Sequence, residues 1–181
     1  MKKSFLTLAL CAVTTIAFGQ GAFDPTNIGS GANSTSVNAP VFNVDMSTPL
    51  ASSVFKAQWY AGTVGTAEGS LQAIGTPLSF SSSFPGFFFG SAVTVSGVGI
   101  GQQATLQLRA WDSSTGATWE SATVRGQSTT FTSPALGDSF NPLTIPVAQG
   151  LTSFSLAVVP EPSTIALGVL GGLALLLRRR K

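Results

Sequence analysis

Ala104-Thr105-Leu106-Gln107-Leu108-Arg109-Ala110-Trp111-Asp112 is the stretch that decides the fold. Leu106, Leu108 and Ala110 alternate with Thr105, Gln107, Arg109 and Trp111, the period of a strand that lays one face on a core. Upstream, Phe55, Ala57, Trp59 and Ala61 alternate with Lys56, Gln58 and Tyr60 in the same way. Downstream, Asp112-Ser113-Ser114-Thr115-Gly116 reads as a turn into Ala117-Thr118-Trp119-Glu120-Ser121-Ala122-Thr123-Val124, a hairpin with Gly116 free to take a positive φ. Further strand candidates are Val41–Val44, Leu78–Phe80, Phe87–Phe89, Ala92–Ser96, Gln127–Phe131, Leu143–Val147 and Ser153–Val158. Most glycines and prolines fall between these runs, where they make turns. The Ser/Thr/Gly-rich stretches 29–38 and 62–75 read as loops. The pattern predicts an all-β fold over residues 20–158, a single antiparallel β-sandwich of jelly-roll or immunoglobulin-like type.

Composition excludes whole classes of chemistry. Of 181 residues only 9% are charged, against about 25% in ordinary soluble proteins. Histidine is absent and cysteine occurs once, as Cys11. No Ser-His-Asp or Cys-His nucleophile can be assembled, and no intrachain disulfide can form. Zinc, copper and haem lose their usual ligand, and the acids do not follow a calcium-loop spacing. No metal, no cofactor and no enzymatic activity are therefore expected. The overall net charge of +2 belongs to the chain ends. Residues 20–158 carry Lys56, Arg109 and Arg125 against Asp24, Asp45, Glu68, Asp112, Glu120 and Asp138, three cations against six anions, a net of −3. Nucleic acid is not an expected partner.

Both ends read as targeting segments. Met1-Lys2-Lys3, the apolar run Phe5–Phe18 and the small-x-small site Ala17-Phe18-Gly19 form a signal peptide over 1–19, an N-terminal signal helix cleaved after Gly19. At 14 residues the run falls short of the roughly 20 that span a bilayer. Leu10 before Cys11 does not fit a lipoprotein site. Signal peptidase and the Sec export machinery are the partners this implies. At the other end, Val159-Pro160-Glu161-Pro162-Ser163-Thr164 precedes the 13-residue apolar run Ile165–Leu177, and Arg178-Arg179-Arg180-Lys181 closes the chain. As a short transmembrane helix that run measures about 20 Å, less than the roughly 30 Å hydrocarbon core. It can hold the inner membrane only transiently. The four terminal cations stay cytoplasmic as a stop-transfer tail, which places the preceding chain outside. The two prolines keep the hexapeptide extended, the conformation a processing enzyme threads.

These residues resemble the PEP-CTERM sorting signal of exported bacterial proteins over 159–181. The resemblance implies an exosortase as processing partner, a membrane-embedded transpeptidase-like enzyme. It also implies a Gram-negative-type bacterium that makes exopolysaccharide, with the product released or attached at the cell surface or in the extracellular matrix. Ala57-Gln58-Trp59-Tyr60-Ala61-Gly62 and Ala104–Asp112 also resemble exported domains of uncharacterised PEP-CTERM proteins, a likeness that implies no activity.

Within the β domain the candidate sites are few. Asp112 and Glu120 flank the expected hairpin as a conceivable acid pair for a polysaccharide-modifying enzyme. Against this, Asp112 sits as a turn starter and Glu120 as an outward-facing strand residue. The aromatics Trp59, Tyr60, Trp119 and the Phe84–Phe89 run read mainly as core. Trp111 shares a face with Arg109 and Gln107 that is read as exposed, so Trp111 is the candidate for stacking on a sugar ring. Asn33-Ser34-Thr35 matches a glycan acceptor pattern of little weight in a bacterium. The expected role is structural or adhesive, in association with exopolysaccharide in a biofilm matrix, with a carbohydrate-binding module as the second reading. Replacing Arg178–Lys181 with neutral residues should weaken retention before processing, seen as loss of membrane-bound precursor on fractionation. Unchanged accumulation would overturn the topology.

Overall fold

The computed structural model describes residues 19–159. In chain order its strands are β1 (Gln20–Phe23), β2 (Ile28–Ser30), β3 (Ser36–Asn38), β4 (Val41–Phe42), β5 (Phe55–Thr63), β6 (Gln72–Ser79) and β7 (Val93–Gly99). They continue as β8 (Ala104–Asp112), β9 (Val124–Gln127), β10 (Phe131–Thr132), β11 (Gly137–Asp138), β12 (Phe154–Ser155) and β13 (Ala157–Val158). Helical structure among the described residues is limited to three one-turn 3₁₀ segments.

The two alternating stretches become the central pair. β5 and β8 run antiparallel over their full nine residues, from Phe55 opposite Asp112 to Thr63 opposite Ala104. β6 flanks β5, while β9 and β10 both pair with β8, and β13 adds to β9 as the edge. A second antiparallel sheet has the order β11-β1-β7. The two sheets share one core, in keeping with a β-sandwich. Ala57, Trp59, Ala61, Leu106, Leu108 and Ala110 point into it, as their alternation predicts, and meet Phe23, Val95 and Val98 of the smaller sheet. The Phe23 ring meets Trp59 edge-on with centroids 5.2 Å apart, and Trp59 meets Phe131 at 6.3 Å. The indole Nε1 of Trp59 donates to the Pro25 carbonyl at 2.8 Å, so its one polar atom is satisfied inside the core.

Several apolar runs do something other than expected. Phe87–Phe89 forms no strand. There, fully buried Asn27 accepts from the Phe88 N–H at 2.9 Å and donates to the Ala39 and Gly86 carbonyls at 2.8 and 2.9 Å. One amide thus uses backbone groups that a strand would have paired. In place of a strand over Leu143–Val147, Pro142–Thr144 is a 3₁₀ turn whose cap, Asn141, accepts from the Leu143 N–H. The stretch 29–38 contains the β2–β3 hairpin, and the strand expected at Leu78–Phe80 begins as early as Gln72. Gly75 at φ +64 and Pro77 disguise that strand, which tolerates both because it lies at the sheet edge.

Ala117–Thr123 is loop, and only Val124 onward is strand. Gly116 is required there for close approach rather than for a positive φ, since a Cβ would lie 2.4 Å from the Ala122 nitrogen. The last expected strand is divided into β12, parallel to β4, and β13, antiparallel to β9, so the pairing is not antiparallel throughout. The expected signal and transmembrane helices lie outside the described residues. Among the described residues no helix is long and apolar enough to cross a membrane. Trp59→Ala should cost about 3–5 kcal/mol of unfolding free energy. Phe140→Ala at the surface should change it by less than about 0.5 kcal/mol, and urea titration of both variants separates the two cases.

Candidate functional site

The centre of the main sheet leaves a second face to be accounted for. Lys56 stands opposite Trp111, Gln58 opposite Arg109 and Tyr60 opposite Gln107. β9 then brings Arg125 beside Trp111 and Gln127 beside Arg109. All three cations of residues 20–158 therefore stand on this outer face.

Its middle is a guanidinium–aromatic cluster. The Arg109 guanidinium lies 3.9 Å from the Tyr60 ring centroid and 4.5 Å from that of Trp119, and Arg125 lies 4.5 Å from Trp119. Such contacts strengthen as the cation loses water, and Arg109 is buried. Arg109 Nε donates to Gln107 Oε1 at 3.0 Å, and Nη1 lies 3.7 Å from Glu120 Oε1. Gln107 donates in turn to the Ser128 carbonyl at 3.0 Å and to Glu68 at 2.9 Å, and Gln127 also donates to Glu68. Trp119 Nε1 donates to the Gly126 carbonyl at 2.9 Å, and Arg125 Nη1 to the Trp119 carbonyl at 2.7 Å. These bonds fasten the loop 113–123 down on the sheet.

Tyr60 Oη donates to Glu120 Oε1 at 3.0 Å. Burial, reinforced by the acceptor Glu120, pushes the Tyr60 hydroxyl above its usual range. Partial burial pushes the Glu120 carboxyl up. Hydrogen bonds from its own N–H, Tyr60 and Thr118, together with Arg109, outweigh this and hold it below the usual value.

The predicted site residues fare differently. Trp111, expected on an exposed face, is only 2% exposed, which corrects that reading. Alternation assigns it to the outer face correctly, but the loop 113–123 folds back over that face, with Trp119 stacked on Arg109 and Arg125. Its indole N–H has no partner among the described residues, and its ring offers no surface to a sugar. Asp112 is the turn starter expected, with Oδ1 accepting from Ser114 N at 2.8 Å and Ser114 Oγ at 2.6 Å. Glu120 lies in the loop rather than on a strand. Asp112 is in register with Phe55 on the inner parity of β8, whereas Glu120 bonds Tyr60 on the outer face, so the two do not converge. Nor, among the described residues, does any group of three or more acids or cysteines converge to hold a metal.

A further feature escaped the alternation pattern. An open groove of about 600 Å³ is lined by Asp24, Ser30, Ser139, Pro142, Leu143 and Ile145. Leu143 on its wall is 88% exposed, and Phe140, one residue past Ser139, is 93% exposed. Phe140-Asn141-Pro142 carries the signal that could have revealed it, because Asn-Pro starts a turn and leaves the preceding aromatic at a loop tip.

Of the sorting motif only Val159 is described, with its N–H donating to the Thr123 carbonyl at 2.7 Å. Pro160, Glu161, Pro162, Ser163, Thr164 and the tail Arg178–Lys181 lie outside the described residues.

Residues 158–181 match the family model of the PEP-CTERM protein-sorting motif. No curated protein and no solved structure matches the chain.

Because the Glu120 carboxyl is held below its ordinary 4.5, it contributes stability above that value, which is lost as pH falls through the folded-state value. Glu120→Gln should therefore lower the urea midpoint at pH 7 and approach wild type toward pH 3. An equal deficit at both pH values would count against the cluster as drawn.

Proposed function

We propose that the β domain of this exported exosortase substrate, marked by its PEP-CTERM motif, is a structural or adhesive element associated with exopolysaccharide. The domain acts without catalysis, at the cell surface or in the extracellular matrix of a Gram-negative-type bacterium. Delivery starts with Sec export and signal peptidase. The chain then pauses in the inner membrane at Ile165–Leu177 with Arg178–Lys181 inside. Exosortase processing near Pro160-Glu161-Pro162 ends the membrane stage.

The observation that carries the adhesive reading is a pair of exposed apolar side chains, Leu143 on the groove wall and Phe140 next in sequence to the lining residue Ser139. Neither side chain adds to the core, and what sets this pair apart from other exposed apolar residues is its place three residues apart beside a concave site with polar groups. An exposed ring stacks on the C–H face of a sugar, while Asp24, Ser30 and Ser139 offer acceptors and donors for hydroxyls. The carboxylate in the groove, with a net −3 over 20–158, favours a neutral polymer over a uronate-rich one.

Affinity electrophoresis tests this reading. Migration of the β domain should be retarded in gels containing a neutral glucan or mannan, less so in alginate, and the retardation should vanish with Phe140→Ala. Identical mobility with and without every polymer would leave a purely structural role.

A further inference from the structure

The end of the folded domain is also the beginning of the sorting segment. The family match starts at residue 158, and Val158 is the last residue of β13, in register with Val124 of β9. Val159 continues the pairing through its bond to the Thr123 carbonyl. No linker separates sheet from signal.

β13 is the edge of the main sheet, and both its side chains are exposed, Val158 by 66%. Backbone pairing is therefore what holds it. Leu156, immediately before, is a core residue whose N–H donates to the Phe42 carbonyl at 2.9 Å. The anchor of the C-terminal segment is thus Leu156, and residues 157–159 are the end that opens at least cost.

Reach favours that opening. Residues 160–164 separate Val159 from the apolar run at Ile165. Fully extended, they span at most about 18 Å. The chain leaves the domain at an exposed sheet edge, so a tether this short holds that edge within about 18 Å of the apolar run. A membrane-embedded enzyme then has to enclose Pro160-Glu161-Pro162 within that gap. Release of residues 157–159 adds about 10 Å of extended chain. It also frees backbone N–H and C=O groups that an enzyme binding an extended peptide can pair with.

We infer that the sorting enzyme engages this domain at the β13 edge, drawing residues 157–159 off β9 to reach Pro160-Glu161-Pro162. The inference rests on the exosortase-substrate reading. It makes the sheet edge an interaction surface for a membrane-bound processing partner.

A reversible cross-link tests it. The bond between Val159 and Thr123 makes Val158 and Val124 the adjacent pair without mutual hydrogen bonds, the closer kind, with Cα atoms about 4.5 Å apart. That separation suits a disulfide. The one native cysteine, Cys11, belongs to the expected signal peptide and is not a competing thiol after export. In pulse–chase of the full chain in cells that make the enzyme, oxidised Val124→Cys/Val158→Cys precursor should be processed at least about tenfold more slowly than its reduced form. Inserting Gly-Gly-Ser-Gly-Gly-Ser between residues 158 and 159, which leaves the Val159–Thr164 hexapeptide whole, should restore the rate with the disulfide intact. Equal rates for oxidised and reduced protein, or an oxidised spacer variant that stays slow, would overturn the inference while leaving sorting itself in place. A wild-type chain never shortened in those cells removes the exosortase-substrate reading and the inference with it.

Discussion

The full-length pairing of β5 with β8 places two strands at the middle of a sheet, and in this domain both faces of that central pair are covered. On the inner face the covering is apolar: Phe23 of the smaller sheet meets Trp59 edge-on, and the aliphatic side chains of β8 fill in around them. On the outer face it is polar and aromatic. A buried guanidinium costs several kcal/mol in lost hydration unless it is compensated. Arg109 finds that compensation in two ring faces and the Gln107 amide, with Glu120 adding a looser ionic contact at 3.7 Å. The loop 113–123 is ordered because Trp119 and Glu120 serve this cation.

The sparse charge of the domain is used internally more than displayed. Arg109 and Arg125 stack on Trp119, while Glu68 accepts from Gln107 and Gln127. What remains outward is hydroxyl-rich surface with a few apolar points, Phe140 and Leu143 the most prominent. Sheet edges are managed with equal economy. β6 carries Gly75 and Pro77, which spoil it as a template for another strand, and β13 is two residues long. That short edge joins the fold to the export signal without a spacer. The first residue of the matched motif, Val158, is thus also part of the fold.

The inward parity of Phe55–Ala61 and Ala104–Ala110 was legible because alternation is a local pattern read out by one apolar core. The same pattern placed Trp111 on the opposite face and could not say that this face is covered. Coverage comes from residues 113–123, whose position over the sheet depends on Trp119 meeting Arg109 and Arg125. Phe87–Phe89 and Leu143–Val147 looked like strands by apolar content. Side-chain amides of Asn27 and Asn141 took their backbone groups instead, a competition that carries no period. β6 was half hidden because glycine and proline are breakers inside a sheet but tolerable at its edge.

The sorting segment was readable as written because it is linear. A Pro-Glu-Pro hexapeptide, an apolar run and a basic tail are patterns of neighbours along the chain, read with no fold needed to assemble them. By itself, then, the sequence determined the all-β class, the buried parity of the two central strands and the PEP-CTERM sorting motif. Only the tertiary structure decided which second face is covered, that Asp112 and Glu120 lie apart, and that the signal begins within a sheet. The physical reason is range: periodicity and hydropathy are properties of neighbours along the chain, whereas burial, convergence and edge pairing are set by residues up to a hundred positions away.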